Sequence, residues 1–185
     1  MKRIVLISIA LFLFFLSCDR VKSGHATNTN QSDNTQQVIK KTKAFFQWYE
    51  QNHETFGDIQ LIDLVKIDST YIYKVNPDSM KRYLNILDSS GFFSDSFIKA
   101  KQDYFIEAGR KLLEAKQSDG PPIGFEFDLL LLTQESYLYL DNINDLNYSV
   151  KDTSETSTKI SVNNELVFEF QNNNGLIKSI RKDIK

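Results

Sequence analysis

LNYSVKDTSETSTKISVNNELVFEFQNNNGLIKSIR, residues 146–181, decides the fold class of this chain. Four short, partly alternating runs lie within it: Leu146 to Lys151, Lys159 to Val162, Glu165 to Phe170 and Leu176 to Arg181. DTSET, Asn163-Asn164 and Asn172-Asn173-Asn174-Gly175 separate them. Alternation with period two buries one side of a strand, and Asn, Asp and Gly tolerate the backbone that reverses it. The stretch therefore predicts an antiparallel meander. Helical patterns precede it, so the expected class is α+β, with N-terminal helices packed on a C-terminal antiparallel sheet.

Outward from the meander, Asp119 to Glu135 reads DGPPIGFEFDLLLLTQE and holds two of the three prolines. A rigid turn leads into Phe125-Glu126-Phe127-Asp128 and then four leucines. The leucine run is either a buried strand or a short buried helix, which periodicity alone does not separate. Asp128 is expected to accept backbone N–H groups of a turn, and Gln134 to close the same turn from the other side. A ligand or partner contact is the competing reading of both.

Further upstream, Ser94 caps a helix predicted to reach Lys116, with Gly109 weakening its middle by ~1 kcal/mol relative to alanine. Asn76-Pro77 opens a shorter helix that Gly91 stops, with Met80, Tyr83, Leu84 and Leu87 as its buried stripe. Ile59 to Val75 predicts two short strands joined at Asp68-Ser69. Val38, Thr42, Phe45 and Tyr49 share one face of a helix expected from Gln37 to His53. Phe46 and Trp48 broaden that face into an aromatic stripe, which is either the helix's core contact or the lining of a pocket.

The N-terminus carries an address. In MKRIVLISIALFLFFLSC, Lys2 and Arg3 precede an apolar run from Ile4 to Leu16, and Ser17 leads into Cys18, the only cysteine. That order is what the export machinery reads. The run is shorter than the ~20 apolar residues needed to cross a bilayer. Phe15-Leu16-Ser17-Cys18 resembles the lipobox of bacterial lipoproteins, which implies an acylated Cys18 as the new N-terminus and a protein held on the cell envelope by lipid. The outer membrane is favoured, and Asp19 leaves the periplasmic face of the inner membrane open. The expected divisions are a signal peptide at 1–17, a lipidated cysteine and flexible tether at 18–36, and one domain at 37–185. The tether (DRVKSGHATNTNQSDNTQ in residues 19–36) is too polar to bury much surface.

Composition excludes several classes. The full chain has a formal charge of −2, and losing Lys2 and Arg3 makes the mature chain more acidic. No basic cluster suggests nucleic acid. His25 lies in the tether and His53 near a helix end, neither at metal-ligand spacing, so no metal or cofactor is expected. No phosphate loop, nucleophile elbow or Cys-His arrangement is present.

Phe45-Phe46-Gln47-Trp48-Tyr49, Asp88-Ser89-Ser90-Gly91-Phe92-Phe93-Ser94, Asp119-Gly120-Pro121-Pro122 with Gly124-Phe125, and Asp128 with Thr133-Gln134-Glu135 together resemble an uncharacterised family of bacterial envelope proteins. The similarity spans about residues 38 to 183, and many members are lipoproteins. It implies a nuclear transport factor 2-like (cystatin-like) fold, a curved antiparallel sheet wrapped on helices. It brings no catalytic residues. Enzymes on that fold use a cone-shaped cavity, and some rely only on Asp and Tyr, for which Glu126, Asp128, Tyr49 and Tyr104 are the available parts. Asp119, Glu126, Asp128, Gln134 and Glu135 are thus candidate binding or turn residues, and Phe45, Trp48, Tyr49 and Tyr104 candidate pocket lining.

The expected function is binding rather than catalysis: a lipid-anchored accessory protein with an envelope protein as partner. Two alternatives stand beside it. One is a small-ligand binder or hydrolase with a pocket lined by Tyr and Phe. The other is a periplasmic immunity-type inhibitor of a secreted toxin, with Asp119 to Gly124 as its contact loop.

Overall fold

The computed structural model describes residues 28–183. The signal segment, Cys18 and the first part of the tether lie outside the described residues. Helix α1 (Asn28–Gly57) is followed by strands β1 (Ile62–Ile67) and β2 (Thr70–Val75) and helices α2 (Pro77–Ser89) and α3 (Asp95–Ala115). A long loop leads to the one-turn helix α4 (Tyr137–Leu140) and a 3₁₀ turn (Ile143–Asp145). Strands β3 (Tyr148–Thr153), β4 (Ser157–Val162), β5 (Leu166–Gln171) and β6 (Ile177–Lys182) complete the fold. The last four form one antiparallel sheet in chain order, and β1 and β2 form a separate hairpin. Helices pack against an antiparallel sheet, and the class is α+β.

The sheet's inner face follows from its register. Thr158, Ile160 and Val162 on β4 stand opposite Phe170, Phe168 and Leu166 on β5, and all six are buried. On a pleated strand such alternate residues share one face. Helix α1 lies across that face. Phe45 and Phe46 set their rings 5.3 and 5.6 Å from Phe168. Between α2 and α3 the loop crosses to the sheet as well: Ser94 N–H donates to the Ile177 carbonyl, and Ile177 N–H to that of Phe92. This exchange ties the helical layer to β6.

Helix α1 starts at Asn28, earlier than the expected Gln37, so the tether's last residues are helical. Nucleation is the costly step of helix formation, and extension adds a hydrogen bond for each residue fixed. Val38, Thr42, Phe45, Phe46 and Tyr49 are buried in the core, and the polar turns before them lengthen a helix already fixed by packing.

The capping expectations hold in detail. Asn76 Oδ1 accepts the N–H groups of Asp78 and Ser79, each at 3.0 Å. Ser94 Oγ accepts the Phe97 N–H at 3.3 Å. Gly109 does not interrupt α3. A Cβ there would lie 3.0 Å from Val75 Cγ2, so the glycine lets β2 approach the helix. The hairpin is further fixed by Tyr73, whose N–H donates to the Gln117 carbonyl at 2.7 Å.

Candidate functional site

The long loop between α3 and α4 is organised by one carboxylate. Asp128 Oδ1 accepts the N–H groups of Leu130 at 2.9 Å and Leu131 at 2.7 Å. Its backbone N–H donates to the Thr133 carbonyl, and its carbonyl accepts from Leu132 N–H, both at 2.8 Å. These bonds wrap the four leucines into a tight turn, with Leu132 in the left-handed region at φ 55°. The run is therefore neither the strand nor the helix expected. A side chain that satisfies successive backbone donors competes with both. The turn still buries Leu129, Leu130 and Leu131, which explains the hydrophobicity of the segment.

Gln134 does not close this turn from the other side: it is exposed. Thr133 does so, through its carbonyl and through Oγ1, which accepts the Glu135 N–H at 3.1 Å. Glu135 is exposed too. Asp119 lies on the exposed turn after α3, a turn that Gln117 holds down. The Gln117 amide donates to the carbonyls of Asp119 and Pro121, and its Oε1 accepts the Ile123 N–H.

Asp128 also joins the loop to α1. Its Oδ2 accepts the Tyr49 hydroxyl at 2.7 Å and lies 3.7 Å from His53 Nε2. Burial, and then the Asp128 charge, push the Tyr49 hydroxyl far above its ordinary value, so it stays a neutral donor. Tyr83, on α2, is raised by the same two causes in the same order. With its side chain only 7% exposed, Asp128 is a buried carboxylate kept by hydrogen bonds.

Around this junction opens a cavity of about 670 Å³. The last turns of α1 contribute Tyr49, His53, Phe56 and Gly57; residues 59–62 and Tyr83 form a second wall. The loop supplies the third, with Phe125, Glu126, Phe127, Asp128, Gln134 and Ser136 among its lining side chains. Of the residues singled out from sequence, Tyr49, Glu126, Asp128 and Gln134 meet here. Phe45 and Trp48 do not: Phe45 is fully buried in the core, and Trp48 packs on Phe92 and Phe56 at 5.4 and 5.9 Å. Tyr104 faces a separate cleft of about 250 Å³, and its hydroxyl donates to the Gly124 carbonyl at 2.5 Å.

Among the lining residues that the sequence does not single out as a site are His53, Tyr83 and Ser136. His53 follows Tyr49 by one helical turn, a spacing that puts both on one face and was available as a signal. Tyr83 was legible only as core. Ser136 had no sequence signal. Its Oγ lies 3.3 Å from His53 Nε2. Serine, histidine and aspartate thus meet, yet serine and aspartate address the same imidazole nitrogen. A relay needs the acid on the opposite nitrogen, orienting the ring for the hydroxyl. The arrangement here is a polar cluster around one nitrogen. Among the described residues, no group of three or more His, Cys, Asp or Glu is placed to hold a metal.

The smaller cleft contains Lys101, whose Nζ donates to the Leu129 carbonyl at 2.6 Å and lies over the rings of Phe97 and Tyr104. Burial pushes this amine down to about 8, against the opposing pull of Asp128. Below about pH 8 the lysine is charged in folded and unfolded chains alike, and folding carries the full desolvation cost. Between there and its ordinary 10.5, the unfolded chain holds a proton that the folded one has released, so stability rises with pH. Urea midpoints at pH 7 and 9 should therefore rise in the native chain relative to Lys101→Met. Parallel pH responses in the two proteins would contradict this.

No family model matches the chain, and neither the curated proteins nor the solved structures give a match. The fold and site define it as an α+β domain with an aromatic, carboxylate-bearing pocket beside its helical layer.

Proposed function

We propose that this is a lipid-anchored protein of the bacterial cell envelope whose domain binds a small ligand in the pocket beside Asp128, without chemistry. The cavity of about 670 Å³ carries this reading, because it falls in the size range of ligand sites and mixes aromatic walls with a few polar groups. The contacts of Ser136 and Asp128 on a single His53 nitrogen favour binding over hydrolysis. The envelope address and the acyl anchor rest on residues 1–18 and their likeness to a lipobox. The nuclear transport factor 2-like fold belongs to the same proposal. Helix α1 crossing a four-stranded antiparallel sheet supports it.

A protein partner is the second reading. Leu64 and Tyr71 stand exposed on one face of the β1–β2 hairpin. Exposed apolar side chains on one element suit a docking surface.

Gly57 supplies the test. It ends α1, lines the pocket, and a Cβ built on it meets nothing within 4 Å. Protein released from membranes should carry a small-molecule adduct in native mass spectrometry, and Gly57→Trp should lose the adduct with an unchanged melting midpoint. Retention of the adduct by Gly57→Trp would move the ligand elsewhere. In the same preparation, Cys18→Ser should shift the protein from the membrane to the soluble fraction.

A further inference from the structure

Resting on the reading of this cavity as a ligand site, we propose that its ligand is an organic ammonium ion, an amine or quaternary ammonium on an apolar body. Among the described residues, the lining includes two carboxylates, Glu126 and Asp128, and neither lysine nor arginine. The two acids are in different states. Asp128 is fully engaged by Leu130, Leu131 and Tyr49. Glu126 is exposed and takes part in no hydrogen bond or ion pair among the described residues. It is an anion without a cationic partner among the described residues, on the wall of an aromatic pocket and close enough to Tyr104 to add to burial in raising its hydroxyl.

Both features select the same chemistry. Phenyl and phenol rings attract cations through their quadrupole, most strongly where water is excluded. Phe56, Tyr83, Phe125 and Phe127 line the cavity together with Glu126. Phe56 and Tyr83 meet edge to face, with centroids 4.9 Å apart. An anionic ligand would face two carboxylates, with no lysine or arginine beside it among the described residues. Lys101, on the far side of the leucine turn, is bound to the Leu129 carbonyl and belongs to the neighbouring cleft. A neutral ligand would gain the apolar walls and leave the Glu126 charge unused.

The test uses the full mature chain and three probes that share a phenyl ring on a three-carbon chain: phenylpropyl-trimethylammonium, phenylpropanol and phenylpropionate. Trp48 is the only tryptophan and packs on Phe56, so its fluorescence reports occupancy, with calorimetry as the independent measure. At low salt the ammonium should bind about two- to fivefold more tightly than the alcohol, as one solvent-facing charge allows, and the carboxylate least well. Glu126→Gln should reduce the preference for the cation to what the aromatic walls supply, with a smaller effect on the alcohol. Equal or tighter binding of the alcohol or the carboxylate would overturn the ammonium assignment and leave the pocket standing. So would a cation preference undiminished by Glu126→Gln. Binding of none of the three would count against the ammonium and the pocket together.

Discussion

Phe45→Ala is expected to lower the unfolding free energy by about 3–5 kcal/mol, the range for deleting a fully buried aromatic ring. Phe45 is 0% exposed and stands where the helical layer meets the sheet. Its ring lies within 6.1 Å of those of Phe46, Trp48, Tyr49, Phe92, Phe93 and Phe168. These neighbours come from α1, the α2–α3 loop and β5, so the cavity left by truncation has walls on three separate elements. Collapse of one wall cannot fill it without moving the others, which places the loss toward the upper end of the range. For a domain of this size the melting midpoint should fall by about 10–15 °C. Denaturant unfolding with an unchanged slope is the measurement that isolates stability from a change in compactness. A loss below about 1 kcal/mol would mean that Phe45 borders a space able to close, as the lining of a ligand site would.

The same residue marks the boundary between what sequence pattern carries and what it does not. The 4, 3, 4 spacing from Val38 through Thr42 and Phe45 to Tyr49 identifies a buried face, and all four are buried. Spacing says nothing about what lies opposite. Phe45 meets Phe168 in the sheet, while Tyr49, one turn later on the same stripe, meets Asp128 at the edge of the pocket. Both were equal candidates for pocket lining, and only the tertiary path separates them. Local features were legible for local reasons. The Asp68-Ser69 turn, the Asn76 and Ser94 caps and the Asn-rich turns of the meander all depend on residues a few positions apart.

The leucine run shows the opposite case. Its composition records burial, which is correct, but its conformation is set by a carboxylate at its start rather than by the leucines themselves. The pocket was partly legible because Asp128 and Glu126 stood out in an otherwise apolar segment. His53 and Ser136 come together from positions far apart in the chain, and that contact has no local signature.

Asp128→Ala tests whether that carboxylate is a structural or a binding group. Truncation leaves the Leu130 and Leu131 N–H groups and the Tyr49 hydroxyl without their acceptor. Orphaned buried donors cost about 1–3 kcal/mol each, and turn relaxation toward water recovers part of this, so a net loss of about 3 kcal/mol is expected. Asp128→Asn separates geometry from charge. Its amide oxygen can still accept the two leucine N–H groups, and the Tyr49 hydroxyl can reverse to accept from its NH₂. That variant should lose only about 1 kcal/mol, keeping the turn while removing the negative charge beside His53. The urea midpoints should then fall in the order native, Asn, Ala. Ligand affinity for the intact turn in Asp128→Asn reads out the second role on its own. If the Ala midpoint stays at the native value while binding is lost, the carboxylate belongs to the ligand and the leucine turn holds without it. The network of Asp128 bonds argues for the other outcome, because the same oxygen pair both folds the loop and anchors it to α1.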